Sequence, residues 1–246
     1  MKKLIAALLA LVMVFSLAAC GEKPVDTQTP DDNGSVVTPT EEKNEDQGSD
    51  SEETQAQLPV TGELTVEALR QYPETPASEF VYELCNEAGD IRILEYLGSD
   101  DIVVIPGEID GRPVVDMAVV CFGNESIVRG IVLPKSMKYV HEVFINNANL
   151  ELVIAEGLET VGYGLFTNCA NLREVVLGDN VIAIEESAFG NCPSLEKVNI
   201  PATLTEMTEA EIITSFYTTL KLTIYCEAGS YIEQVAIDHQ IPYVNE

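Results

Sequence analysis

The side chains able to do chemistry are few in this 246-residue chain, and their placement argues against catalysis. There are two histidines, His141 and His239, far apart in sequence. Ser136 is a hydroxyl near His141, but a nucleophile also needs an orienting third group and oxyanion donors, and no pattern around it supplies them. Gly-x-Ser-x-Gly, His-Glu-x-x-His and phosphate-cradling glycine loops do not occur. Asp100-Asp101 and Glu185-Glu186 are adjacent pairs, so their carboxylates do not face each other as acid and base. Neither pair sits in a loop of calcium-ligand spacing. Beyond Cys20 the cysteines are Cys85, Cys121, Cys169, Cys192 and Cys226, an odd number without a Cys-x-x-Cys that would hold zinc. The expectation is a chain that is not an enzyme and that uses no cofactor and no metal.

Cys169 and Cys192 lead to the elements that must position everything else, because each lies three residues after a phenylalanine in a repeating pattern. Phe122, Phe144, Phe166 and Phe189 are spaced by 22, 22 and 23 residues, a period that means a solenoid. Asn124, Asn146, Asn168 and Asn191 follow two residues after each ring, and their side chains are expected to satisfy backbone groups at each turn. Val128, Leu150, Leu172 and Leu195 follow at six. Ile131, Val153, Val175 and Val198 follow at nine, and Leu133, Ala155, Leu177 and Ile200 at eleven. Spacing of two is strand period, so the last two columns point into the coil and the residues between them point out. A second inward pair, Met137/Val140, Leu158/Val161 and Val181/Ile184, suits a short turn or bent strand. One coil cannot bury these faces alone, so stacked neighbours supply the core. Cys169 and Cys192 are one coil apart in one column; buried free thiols are expected there, with a disulfide as the alternative.

Phe166-Thr-Asn-Cys-Ala-Asn-Leu172-Arg-Glu-Val-Val-Leu177 resembles one unit of the BspA-type leucine-rich repeat family, as does Ala188-Phe-Gly-Asn-Cys-Pro-Ser-Leu195-Glu-Lys-Val-Asn-Ile200-Pro201. Ile102-Val-Val-Ile105-Pro106 through Val114 resembles the usual opening of such arrays, and Leu222-Thr-Ile-Tyr-Cys-Glu-Ala-Gly229-Ser230 their usual close. The resemblance spans roughly 80–246 and implies a β-rich α/β solenoid, a leucine-rich repeat array of about five coils. Strands are expected at Phe80–Leu84, Ile91–Tyr96 and Ile102–Ile105, then a terminal cap: strand Leu222–Cys226, helix Tyr231–His239 and a short strand at Pro242–Val244. The interval from Phe189 to Phe216 is too long for one coil, and a local bulge is expected at Thr208–Ser215.

Residues 1–19 have a basic start at Lys2-Lys3, an apolar run and small residues at its end, the order of a secretory signal and too short for a membrane span. Leu17-Ala18-Ala19-Cys20 resembles a bacterial lipobox, which implies cleavage before Cys20 and lipidation of its thiol. Two or more acyl chains, palmitate among them, would anchor the protein stably at the extracellular face of the membrane.

Residues 20–79 are the expected linker. Glu, Asp, Thr, Gln, Ser and Pro dominate it to Gln57, with too little apolar surface to offset ordering entropy, so a disordered tether with a reach of roughly 40 Å is expected. A short helix is expected at Val66–Gln71, capped by Thr65 and stopped by Pro73. Leu58-Pro59-Val60-Thr61-Gly62 matches a sortase pattern but lacks the apolar span and basic tail that sorting requires. The formal net charge is −28, which argues against nucleic acid and anionic lipid surfaces as partners.

What remains is a binding surface. Outward positions ten residues after each Phe hold Val132, Ile154, Val176 and Asn199, and position eight adds Gly130, Leu152, Glu174 and Lys197. Val132, Leu152, Ile154 and Val176 are expected to form an exposed apolar stripe, with Asn199 at its end, of the kind that marks an interaction site. The family resemblance implies cell-surface proteins, some of them adhesins. The expected function is therefore a lipid-anchored, monomeric surface protein that binds a protein or glycan. The alternative is a lipid-anchored hydrolase or solute-binding protein of the envelope, which would need a concave pocket with convergent polar groups.

Overall fold

The computed structural model describes residues 63–123 and 126–246. Its strands follow from the aliphatic columns: wherever inward residues alternate, a short strand forms and stacks on its counterpart in the next coil. β1 (Phe80–Leu84), β2 (Ile91–Tyr96), β4 (Glu108–Ile109) and β5 (Arg112–Met117) make an opening four-stranded sheet in the order β1-β2-β5-β4. β3 (Ile102–Val104), β6 (Gly130–Val132), β8 (Leu152–Ala155), β10 (Glu174–Leu177), β12 (Lys197–Asn199), β13 (Thr223–Cys226) and β14 (Tyr243–Asn245) form one seven-stranded sheet, parallel throughout. β7 (Tyr139–Val140), β9 (Thr160–Val161) and β11 (Ala183–Ile184) make a third, three-stranded parallel sheet from the second inward pair of each coil. The register Ile131↔Val153↔Val175↔Val198 runs straight across the long sheet, as the column at nine requires.

The phenylalanine column becomes a stack of rings. It runs Phe80, Tyr96, Phe122, Phe144, Phe166, Phe189, Phe216, with successive centroids 5.4–6.1 Å apart. Phe144, Phe166 and Phe189 are fully buried, and full burial of such a side chain is worth about 1.5–3 kcal/mol relative to exposure. Met137, Val140, Leu158, Val161, Val181 and Ile184 join the same core.

The asparagine column does something different from the expectation. Asn146, Asn168 and Asn191 adopt left-handed backbone with φ of 64°, 63° and 55°, a conformation that Asn tolerates better than most residues. Their side chains bond each other rather than the turns: Asn168 Nδ2 donates to Asn146 Oδ1 at 2.8 Å, and Asn191 Nδ2 to Asn168 Oδ1 at 2.7 Å. Asn124 lies outside the described residues. Cys169 and Cys192 are buried free thiols, and each Sγ donates to the carbonyl of a Phe in the preceding coil, Phe144 and Phe166 respectively, at 3.0 Å. Burial pushes the Cys192 thiol up to about 12 and the Cys169 thiol up as well.

The expected bulge at Thr208–Ser215 is instead a helix, α2 (Glu209–Phe216), opened by a capping box in which Thr208 and Glu211 bond each other's backbone. The helix absorbs the extra residues and carries Phe216 back onto the ring stack. The cap follows the expectation closely: β13, then α3 (Tyr231–His239), which buries Ile232, Val235 and Ala236, then β14. Such a cap closes the apolar end of a solenoid.

The larger correction concerns the linker. Residues 63–79, expected as its tail, are packed on the solenoid. Helix α1 (Val66–Leu69) is capped by Thr65, whose Oγ1 accepts from Ala68 N at 3.2 Å, and the chain breaks at Pro73. A four-residue helix has no independent stability in water; α1 exists because Leu64 and Leu69 are buried against the sheet, with Val66 and Tyr72 beside them. Cys20, the expected leader and the rest of the expected linker lie outside the described residues.

Candidate functional site

The outward face of the long sheet is the candidate site, and two side-chain rows cross it. One runs Ile102, Gly130, Leu152, Glu174, Lys197, Thr223; the other runs Val104, Val132, Ile154, Val176, Asn199, Tyr225. Both begin apolar and end polar, so the face has two halves.

The expected stripe occupies the apolar half, but it is covered. Leu152 and Ile154 are each only 2% exposed because Leu64 and Leu69 lie over them, and Val132 and Val176 are half-buried at the margin of the same cluster. The covering segment fits a socket at Gly130. A Cβ there would come within 2.8 Å of Leu64 Cδ2 and Ile102 Cδ1, and 3.2 Å of Leu69 Cδ1. The missing side chain thus makes room for two leucine ends. Asn199 is not free for a partner either: its Nδ2 donates to Leu177 O at 2.7 Å and its Oδ1 accepts from Leu177 N at 2.8 Å, extending the β10 ladder by a side chain.

A charge ladder edges both halves at the strand starts. Arg129 bonds Asp101 at 3.3 Å and Glu151 at 2.7 Å, Arg173 bonds Glu151 at 3.2 Å and Glu63 at 2.8 Å, and Lys221 approaches Glu196 at 3.6 Å. The Arg129 guanidinium first, then that of Arg173, holds the Glu151 carboxyl below its ordinary range; the Arg70 guanidinium does the same for Glu156. The covering segment is therefore tied by ion pairs at both ends, Glu63–Arg173 and Arg70–Glu156.

The open half carries Glu174, Lys197, Thr223 and Tyr225. Lys197 Nζ sits 3.2 Å from Glu174 and 4.8 Å from the centre of the Tyr225 ring. Burial works against the ammonium, but the Glu174 bond together with the nearby charges of Glu174 and Glu246 outweighs it, and the Lys197 pKa is raised. Two shallow depressions of about 490 and 590 Å³ lie here, sharing Glu63, Arg173, Glu174 and Lys197. Sequence reasoning placed Glu174 and Lys197 on this face but gave them no role, and it missed Tyr225. The alternating signs of Arg129, Glu151, Arg173 and Glu196, each seven residues after its Phe, were the available signal.

The residues weighed for catalysis are engaged in structural contacts. Ser136 Oγ donates to Val114 O at 2.6 Å, and His141 stacks on Tyr139. Glu185 accepts from Tyr163 N at 2.7 Å and from the Tyr139 hydroxyl at 3.2 Å, while His239 Nδ1 lies 3.0 Å from the Tyr217 hydroxyl. Among the described residues no group of three or more Cys, His, Asp and Glu is placed to hold a metal.

Residues 114–227 match six copies of a family described as BspA type leucine rich repeat region, one more than the expected number of coils. A leucine-rich cell surface protein from Faecalibacterium prausnitzii is similar in fold, with a TM-score of 0.51 and 20% identity over 64% of this chain. This chain spans only 40% of that protein's length. A leucine-rich repeat protein of T. pallidum aligns over 71% of this chain and 98% of its own at 24% identity, with a TM-score of 0.47. No curated protein matches the chain.

Proposed function

The chain carries a BspA-type leucine-rich repeat region, and from that premise we propose that it is a lipid-anchored surface protein that binds a protein or glycan across its long sheet. The observation that carries this reading is the open half of the sheet face. There Lys197, Glu174 and Tyr225 present charge, hydrogen-bonding groups and an aromatic ring on a rigid parallel ladder. Aromatic and cationic side chains on a shallow, preformed surface suit macromolecular recognition better than enclosure of a small solute. The cell-surface description of the Faecalibacterium protein and the lipobox-like Leu17-Ala-Ala-Cys20 support the location.

Two experiments test it. The biotinylated chain is used to capture partners from host extracellular proteins and from the producer's envelope, in parallel with Lys197→Glu and Tyr225→Ala. A partner held by the wild type and lost from both variants supports the reading; equal capture by all three removes the open half from it. Cys20→Ala is followed by membrane fractionation, and correctly processed protein that still needs detergent for release would refute the anchor.

A further inference from the structure

We infer that residues 63–72 are a displaceable strap: a built-in occupant of a docking row that otherwise takes an amphipathic peptide turn of the same chemistry from a partner protein. The inference rests on the reading of the sheet face as a binding surface, and it assigns the covered half of that face.

The row is shaped for an occupant. Gly130 is the one outward position on the covered strands that lacks a side chain, and the ends of Leu64 and Leu69 meet there. Its φ is not in the left-handed region, so glycine is not required by the backbone; the socket is what distinguishes it. The flanking charges give the row a direction. Arg173 receives an acid at the start of the strap and Glu156 receives a base near its end. The chemistry taken is therefore explicit: an acid, a leucine directly after it, a second leucine five residues on with a base following, then an aromatic.

The strap is also built to leave. Its helix is four residues long, too short to persist without the sheet. Its two ion pairs have exposed partners, Glu63 being 77% exposed, and exposed pairs hold weakly. Pro73 separates it from firmer attachments beyond. There Thr75 N donates to Val104 O at 2.9 Å, Val104 N donates to Thr75 Oγ1 at 3.1 Å, and Gly107 N donates to the Glu74 carboxylate at 3.1 Å. Lifting at Tyr72–Pro73 leaves those bonds intact and bares Ile102, Leu152 and Ile154 together. An apolar row of that kind is recovered by whatever presents the same anchors. While the strap is docked it lowers the apparent affinity for a partner by the fraction of time the row is free.

The test uses the full mature chain and a labelled synthetic peptide of residues 63–76. Leu69→Asp frees the row and leaves the Gly130 socket open, so the peptide should bind this variant about tenfold or more tightly than it binds the wild type. Gly130→Leu fills the socket, and peptide binding should be lost from Leu69→Asp/Gly130→Leu. Equal affinity of the peptide for all three chains, or none for any, overturns the proposal. Hydrogen exchange of the wild type gives a second readout that needs no variant. Amides of 66–72 should be about 100-fold or more less protected than those of Val153 and Val175; equal protection overturns a displaceable strap. Wild-type chain that dimerises with concentration, and stops doing so as Gly130→Leu, overturns the partner assignment in favour of strap exchange between copies. Lys197→Glu separates the two readings: it should weaken partner capture by the open half while leaving peptide binding to Leu69→Asp unchanged.

Discussion

On β6 and β8 the outward residues Gly130, Val132, Leu152 and Ile154 lie at or under the strap, whereas on β12 and β13 the equivalent residues Lys197, Asn199, Thr223 and Tyr225 are half-exposed. The two halves share one parallel ladder and one register. Their side chains alone differ, and that difference decides which half stays dry. Leucine and isoleucine gain by being covered, while a lysine held by Glu174 and lying over Tyr225 would have to be desolvated. A repeat scaffold can thus carry a sealed surface and an open one side by side without any change in backbone.

The strongest way to break this comparison is to attack what both halves share. Phe166→Ala, in the middle of the ring stack, should cost about 3–5 kcal/mol, read from urea midpoints. Strands of both halves should lose exchange protection together; persistence of either half alone would make them separate folding units. Ile154→Asp comes next. It places a carboxylate beneath Leu64 and Leu69 and should weaken strap docking by about 1–3 kcal/mol, while the circular dichroism melt of the solenoid persists, because the side chain faces away from the coil core. Val176→Asp, at the margin of the cluster, should do less. A collapse of the melt in either variant would mean that the inward and outward rows are exchanged.

Acidification should sharpen the contrast by a smaller amount. Glu151 and Glu156 have folded pKa values below their ordinary range, held there by arginines, so their contribution is present above the ordinary carboxylate pKa and is lost as pH falls through the folded values. Glu156 ties the strap directly through Arg70. Strap amides should therefore lose protection as pH falls below the ordinary carboxylate range, before the solenoid melts, and Glu156→Gln should remove part of that pH dependence. Simultaneous loss of strap and solenoid would contradict it. The smallest effect is expected on the open half. Lys197→Ala should change stability by no more than about 0.5 kcal/mol, since its ion pair is half-exposed. A larger change in the thermal midpoint would mean that Lys197 holds the fold rather than a partner.

The site was only half legible in advance. Val132, Leu152, Ile154 and Val176 were correctly read as outward, because period two separates the faces of a strand. Their exposure was not, because what lies on an outward face depends on a segment far away in sequence. The strap's helix is legible in Thr65 and Pro73, but its docking is not, because an acidic segment otherwise poor in large apolar residues gives no sign of which surface its few leucines meet. Helix α2 is announced in the sequence by Thr208-x-x-Glu211, a capping-box pattern, whereas the repeat period by itself frames the same extra residues as a bulge.

The sequence by itself determined the coil. Repeating aromatic and aliphatic columns leave one arrangement in which each face is buried by its neighbour, and local signals such as Thr65, Pro73 and the Tyr231–His239 helix needed only their own neighbours to be right. The tertiary structure decided what the coil presents. Leu64 and Leu69 meeting over Gly130, Asn168 bridging Asn146 and Asn191, and Tyr225 beneath Lys197 are contacts between residues brought together only by stacking or by a returning chain. Periodicity says which way a side chain points, and packing says what it finds there.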